Sequence, residues 1–178
     1  AIVGPRQAGK TTLARQAFPD HVSVSFENPD VREQYAADPR GFVEKSYGTG
    51  VIFDEFQREP ELLSYLQGVV DRERRPGYFV LTGSHNFLMQ QAITQSLAGR
   101  VAIHTLLPLS CREMREGGKL AQNLNQAVLT GCYPEVIQYD ISSTSFAMGY
   151  IETYVMRDVR QLVNIKDAAL FYKFMRLC

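Results

Sequence analysis

The sequence predicts a layered α/β domain, a parallel sheet sandwiched by helices, followed by a mainly helical segment. Three observations carry this expectation. First, short apolar runs at residues 1–3, 21–26, 51–55, 78–81 and 101–106 alternate with helical patterns, the order that builds a parallel sheet. Second, Val51-Ile52-Phe53 and Tyr78-Phe79-Val80-Leu81 are continuously apolar, as strands covered on both faces are. Third, Gly4, Gly9, Lys10 and Thr11 fit the spacing G-x-x-x-x-G-K-[ST] between the first run and the first helix, which is the place that loop occupies in such sheets.

Taken in order, the first helix covers residues 10–18, and Pro19-Asp20 turns the chain. Val22, Val24 and Phe26 alternate on one face of a second strand. Asn28-Pro29-Asp30 stops it, and residues 31–37 form a short helix closed by Asp38-Pro39. Gly48-Thr49-Gly50 leads into a third strand that ends in two carboxylates, Asp54 and Glu55. Pro60 starts a crossover helix with Glu59 and Glu61 at its positive end and Arg72, Arg74 and Arg75 at its negative end. Leu62, Leu63, Leu66, Val69 and Val70 are its apolar stripe. The fourth strand, closed by Thr82-Gly83-Ser84, is expected to lie between the first and the third. Met89, Ile93 and Leu97 mark another helix before the fifth strand.

After Pro108 the texture changes, and Glu116-Gly117-Gly118-Lys119 reads as a joint. It sets expected domains of 1–117 and 118–178. The second part is helical, broken once at Gly131-Cys132-Tyr133-Pro134. From Ser145 the stripe Ile151, Tyr154, Val155, Leu162 predicts one long amphipathic helix, with Asp158 as a half-buried carboxylate of structural role. The chain opens inside a strand and closes inside the apolar pattern of residues 171–178, which reads as a fragment.

Composition narrows the function classes. Nineteen Lys+Arg balance nineteen Asp+Glu, so no global basic field argues for nucleic acid. Three cysteines and three histidines are scattered without metal-ligand spacing, which points to a reducing cytoplasm. No apolar run approaches a membrane span and no signal peptide opens the chain.

The chemistry concentrates at the first loop. Glycines let successive backbone N–H groups point inward at phosphate oxygens, so Gly4, Pro5, Arg6, Gln7, Ala8, Gly9, Lys10, Thr11 and Thr12 form the expected phosphate cradle of a P-loop NTPase. Lys10 meets the β- and γ-phosphates, and the Thr11 hydroxyl ligates Mg²⁺. Asp54 ends an apolar strand, where a carboxylate holds the metal's water shell, and Glu55 orients or deprotonates the attacking water. Thr82 and Ser84 either sense the γ-phosphate or simply close their strand. His85 reads as a polar loop residue.

Gly4-Pro5-Arg6-Gln7-Ala8-Gly9-Lys10-Thr11-Thr12, Phe53-Asp54-Glu55, Leu81-Thr82-Gly83-Ser84 and Ser96-Leu97-Ala98-Gly99-Arg100-Val101 together resemble a prokaryotic AAA+-type ATPase family. Gly131-Cys132-Tyr133-Pro134-Glu135 and Tyr154-Val155-Met156-Arg157-Asp158-Val159 resemble the start of a partner domain of unknown function that commonly follows that core. Cys111, where an aromatic is usual, and Cys132, where glycine is usual, depart from the pattern outside the nucleotide site. The resemblance implies Mg²⁺-dependent ATP hydrolysis and a further C-terminal portion. It also implies a homo-oligomer in which Arg100, expected near the rim of the sheet's active end, reaches a neighbour's γ-phosphate; the alternative is an arginine that only complements its helix dipole. The expected ligands are ATP and Mg²⁺; DNA, a protein client and a regulatory partner are all compatible with the sequence. Two rival functions fit the same loop: a small P-loop kinase, and a nucleotide-dependent switch with little turnover.

Overall fold

The computed structural model describes residues 1–45, 49–73, 75–84, 93, 95–155 and 168–175. It divides into two compact units, Ala1–Leu107 and Pro108–Cys178.

The first unit is built on five parallel strands: β1 (Ile2–Gly4), β2 (Val22–Ser25), β3 (Val51–Asp54), β4 (Phe79–Ser84) and β5 (His104–Thr105). Their order is β2-β3-β4-β1-β5, so β4 lies between β1 and β3 as the sequence predicts. Parallel neighbours need crossovers. Helix α1 (Lys10–Ala17) joins β1 to β2, α2 (Pro29–Ala37) and α3 (Pro39–Lys45) join β2 to β3, and α4 (Leu62–Glu73) precedes β4. Capping sets where α2 starts: the Asn28 side chain accepts from the Asp30 N–H at 3.0 Å and Pro29 occupies the first turn.

Strand period two sorts the core into two layers. Val3, Val51, Phe53 and Leu81 face Phe26, Tyr35, Val43 and the stripe Leu62, Leu63, Leu66 and Val69 of α4. Ile52 and Val80 face the other way, onto Ala14 of α1. Apolar burial on both faces is what continuous runs such as Val51-Ile52-Phe53 require, and it leaves the strand ends to carry the polar residues. The fold is an α/β layered domain of the P-loop NTPase type.

Several boundaries differ from the sequence expectation. β4 does not close at Leu81 but continues through Thr82-Gly83-Ser84, because β1 pairs with all three. α3 went unanticipated, since Asp38-Pro39 reads as a helix stop; Pro39 instead opens a second helix directly, at the first-turn position proline tolerates. α4 starts at Leu62, after a short 3₁₀ turn at Phe56–Arg58. β2 is an edge strand, which leaves Val22 54% exposed. Met89 and His85 fall outside the described residues, whereas Ile93 and Leu97 are buried in the larger core layer.

The second unit is helical where described: α5 (Cys111–Glu116), α6 (Leu124–Thr130), α7 (Pro134–Tyr139), α8 (Ser143–Tyr150) and α9 (Ala168–Met175). Ser110 and Glu113 form a reciprocal capping box at α5. Tyr133, Phe146 and Tyr150 pack as tilted rings with centroids 5.1–5.8 Å apart and tie the start of α7 to α8. The expected single helix from Ser145 begins at Ser143 and passes at Ile151–Val155 into a π-helical turn, where Thr153 Oγ1 donates back to Gly149 O at 2.6 Å. Leu162 and Asp158 lie outside the described residues. No helix among the described residues is long and apolar enough to cross a membrane.

Candidate active site

β1 delivers the chain to the loop at Gly4, which is buried against β5's continuation: a Cβ there would collide with the Leu106 carbonyl. The loop that follows carries two left-handed residues, Gln7 (φ 61) and Gly9 (φ 92). Gly9 is the N-cap of α1 and supplies no side-chain hydrogen bond. The first amides of the helix thus have no side-chain cap, and the positive end of the dipole adds to their preference for an anion.

Lys10 is 6% exposed and donates from Nζ to the Pro5 carbonyl at 2.7 Å. An ammonium has three donors, so that bond occupies one of them. Burial pushes the Lys10 pKa down, Arg6 adds to this, and the charges of Glu55 and Asp54 oppose it. Ala8 is buried in the loop and Thr12 is exposed on the first turn.

Sheet register assembles the rest. Ser25, Asp54 and Thr82 lie in one row across β2, β3 and β4. Thr82 Oγ1 donates to Asp54 Oδ1, Thr11 Oγ1 donates to the same oxygen at 2.7 Å, and Ser25 Oγ reaches Oδ2 at 3.5 Å. Asp54 is therefore held by hydroxyls from three elements, at the carboxyl ends of parallel strands where ligands bind. Two residues further along β4, Ser84 stands beside Gly4. Its Oγ is buried and without a hydrogen-bond partner among the described residues.

Glu55 follows directly, in a left-handed conformation (φ 54) that turns the chain out of β3 into the 3₁₀ turn. Burial and the neighbouring Asp54 charge raise its pKa, while Arg6, a hydrogen bond from Gln57 and Lys10 pull it back. Gln57 Nε2 donates to Glu55 Oε2. Among the described residues no group of three or more His, Cys, Asp or Glu gathers to hold a metal. A hydroxyl and one carboxylate beside a phosphate cradle is the donor set that suits Mg²⁺, which keeps waters and borrows phosphate oxygens.

The structure brings Gly4, Gly9, Lys10, Thr11, Asp54, Glu55, Thr82 and Ser84 to one edge of the sheet. Arg100 is elsewhere. It forms an ion pair with Asp71 of α4 (Nε to Oδ1 2.5 Å, Nη2 to Oδ2 3.1 Å) and lines a hollow of about 490 Å³ with Ala1, Gly77 and Phe79. Those residues mark the amino ends of β1 and β4. The expected position at the active rim is thus corrected: a residue just before a parallel strand sits at the strand's amino end, opposite the loop.

A family model described as an AAA domain matches residues 1–115. The chain belongs to the AAA domain family. A second family model, a domain of unknown function (DUF8612), matches residues 121–178. Uncharacterized proteins of Mycobacterium bovis and Mycobacterium tuberculosis are each 35% identical over 174 residues, 95% of this chain and 38% of the relative. The chain thus spans well under half the length of the curated relatives it matches.

Two contributors to this AAA domain's site escaped sequence reasoning. Ser25 and Gln57 act through space, and neither belongs to the loop spacing. Their signals were faint: a serine closing an alternating strand, and a glutamine two residues after Glu55.

Proposed function

We propose that this AAA domain binds Mg-ATP at the β1–α1 loop and hydrolyses its γ-phosphate with water. The observation that carries this is the hydrogen bond of Thr11 to Asp54 beneath an uncapped helix start, with Glu55 next in the chain. The loop amides and Lys10 bind the phosphates. Thr11, through its hydroxyl lone pairs, and Asp54 would hold Mg²⁺, which when bound neutralises charge on the β- and γ-oxygens. Thr82 and Ser25 fix the Asp54 carboxylate by donating to it, which spends the single hydroxyl proton of each. That gives Thr82 a positioning role and leaves Ser84, beside Gly4, as the hydroxyl suited to the γ-phosphate.

Glu55 receives the proton of the attacking water or orients it. Of the charged groups around it, Lys10 and Arg6 favour its ionised form and Asp54 disfavours it. In this reading the client, whether DNA or protein, is engaged through parts of the longer relatives beyond the matched region. Arg100, at the end of the sheet opposite its own loop, serves a neighbouring copy's nucleotide.

Phosphate release by the parent and by Glu55→Gln tests the assignment. The amide keeps the shape and removes the base, so ATP binding persists while turnover falls by about 10² or more. A variant that hydrolyses at the parent rate removes Glu55 from the mechanism.

A further inference from the structure

Glu55 sits on a flexible side chain, and the loop groups near it, Arg6 and Lys10, act on it through charge. Charge alone does not set the direction of a carboxylate. Among the described residues, a directed bond comes from the Gln57 amide, whose Nε2 donates to Glu55 Oε2. Gln57 is itself gripped from both sides. It lies in the 3₁₀ turn between Phe56, which is 1% exposed, and Arg58. The Arg58 fork clasps Glu27 at 2.9 and 2.6 Å, and the Arg58 N–H donates to the Glu55 carbonyl at 3.0 Å.

The far end of the amide is packed against β4. Gln57 Oε1 is buried without a hydrogen-bond partner among the described residues, and it lies where a Cβ on Gly83 would stand. A glycine inside a strand marks a close approach of this kind. Gly83 is not in a left-handed conformation, so room for the amide, and not backbone freedom, is what the glycine provides. A buried acceptor left unpaired is costly, and here the cost falls on a side chain whose other end holds the catalytic carboxylate.

From this geometry we infer that Gln57 is the positioning residue for Glu55, and that Gly83 is the slot that keeps Gln57 in place. With Oε2 taken by the amide, Oε1 is the oxygen that meets the attacking water. The inference rests on the hydrolytic reading of the site given above.

The test is a pair of substitutions, alone and combined, in the 178-residue chain. Gln57→Ala should lower kcat by about 10–100-fold, the effect typical of hydrogen-bond partners that orient a reactive group. The Mg-ATP dissociation constant and the thermal shift on Mg-ATP should not change. Gly83→Ala drives a methyl into the amide and should give a similar loss of kcat. In the Gln57→Ala background only the Phe56 ring, 3.1 Å from the new methyl, stays close, so Gly83→Ala should add little further loss. If Gln57→Ala lacks a cooperative thermal transition, Gln57→Met, which fills the same length without a donor, is compared with the parent on its own and should show the same loss of kcat at an unchanged Mg-ATP dissociation constant.

Parent kcat in the Gln57 variant overturns the inference. So does an equal loss from Gly83→Ala in both backgrounds, which would locate the effect at Phe56 or the backbone. A parent chain without ATP turnover sinks the hydrolytic reading itself. Turnover lost in Glu55→Gln but kept in Gln57→Ala sinks only the role of Gln57.

Discussion

Lys10 and Thr11 of α1 meet Asp54 of β3 at one end of the sheet. Lys10 and Thr11 are fixed by local spacing around glycines, and Asp54 by its position at the end of an apolar run. The hydroxyls that hold Asp54, and the amide that holds Glu55, depend on strand register and on side chains meeting across elements. One sequence does not record such pairs. Tyr35 is a second case. Its ring packs edge-on against Phe26 at 5.5 Å, yet its hydroxyl is buried without a partner among the described residues. Burial pushes the Tyr35 pKa up to about 12 from its ordinary 10.0. A raised acid favours the neutral phenol in the fold, so this stability is intact below the unfolded value and is lost as pH rises through the folded one. Tyr35→Phe removes both the unpaired hydroxyl and its ionisation. We expect it to be more stable by about 1 kcal/mol near neutrality, with a margin that widens between the two pKa values. Urea unfolding of parent and variant, near neutral pH and again at a pH between those values, checks this; a less stable variant would show that the hydroxyl has a partner.

The elements were legible where periodicity is strong. The 3.6-residue stripe of α4 named Leu62, Leu63, Leu66 and Val69 as core, and all four are buried. The order β3-β4-β1 is the one the sequence expectation gives. Boundaries were less legible, for physical reasons. Pro39 both ends one helix and starts the next, and the polar Thr82-Gly83-Ser84 stays in the sheet because flanking strands satisfy its backbone. Strand polarity sets the place of Arg100: a residue just before a parallel strand lies at that strand's amino end. α4 also supplies a stability test. Leu66 is 1% exposed in the larger core layer, so Leu66→Ala should cost about 2–5 kcal/mol, read as a lower urea midpoint at unchanged slope. A loss well under 1 kcal/mol would mean that α4 does not clamp the sheet.

At the scale of the whole molecule, the carboxyl edge of the sheet carries the loop and both acidic residues, and the amino edge carries Arg100 with Asp71. In the proposed reading, an arginine on that far edge serves a nucleotide in another copy. Arg100→Ala should therefore spare ATP binding and lower turnover by about 10³-fold, the effect of an arginine finger in other NTPases. Mixing it with Lys10→Ala, which retains Arg100, should restore part of the rate. Unchanged turnover in the single variant would leave Arg100 as the partner of Asp71 and nothing more. The account stands first, however, on nucleotide binding at the β1–α1 loop. A ligand that binds only the folded chain stabilises it by about 2.7 kcal/mol at a hundredfold excess over its dissociation constant, several degrees in melting temperature for a chain of this size. Thermal unfolding of parent and Lys10→Ala across a Mg-ATP titration is the most direct measurement. A saturable rise is expected for the parent and little or none for the variant, with both melting cooperatively without nucleotide. An equal rise in the two, or none in the parent, would contradict it.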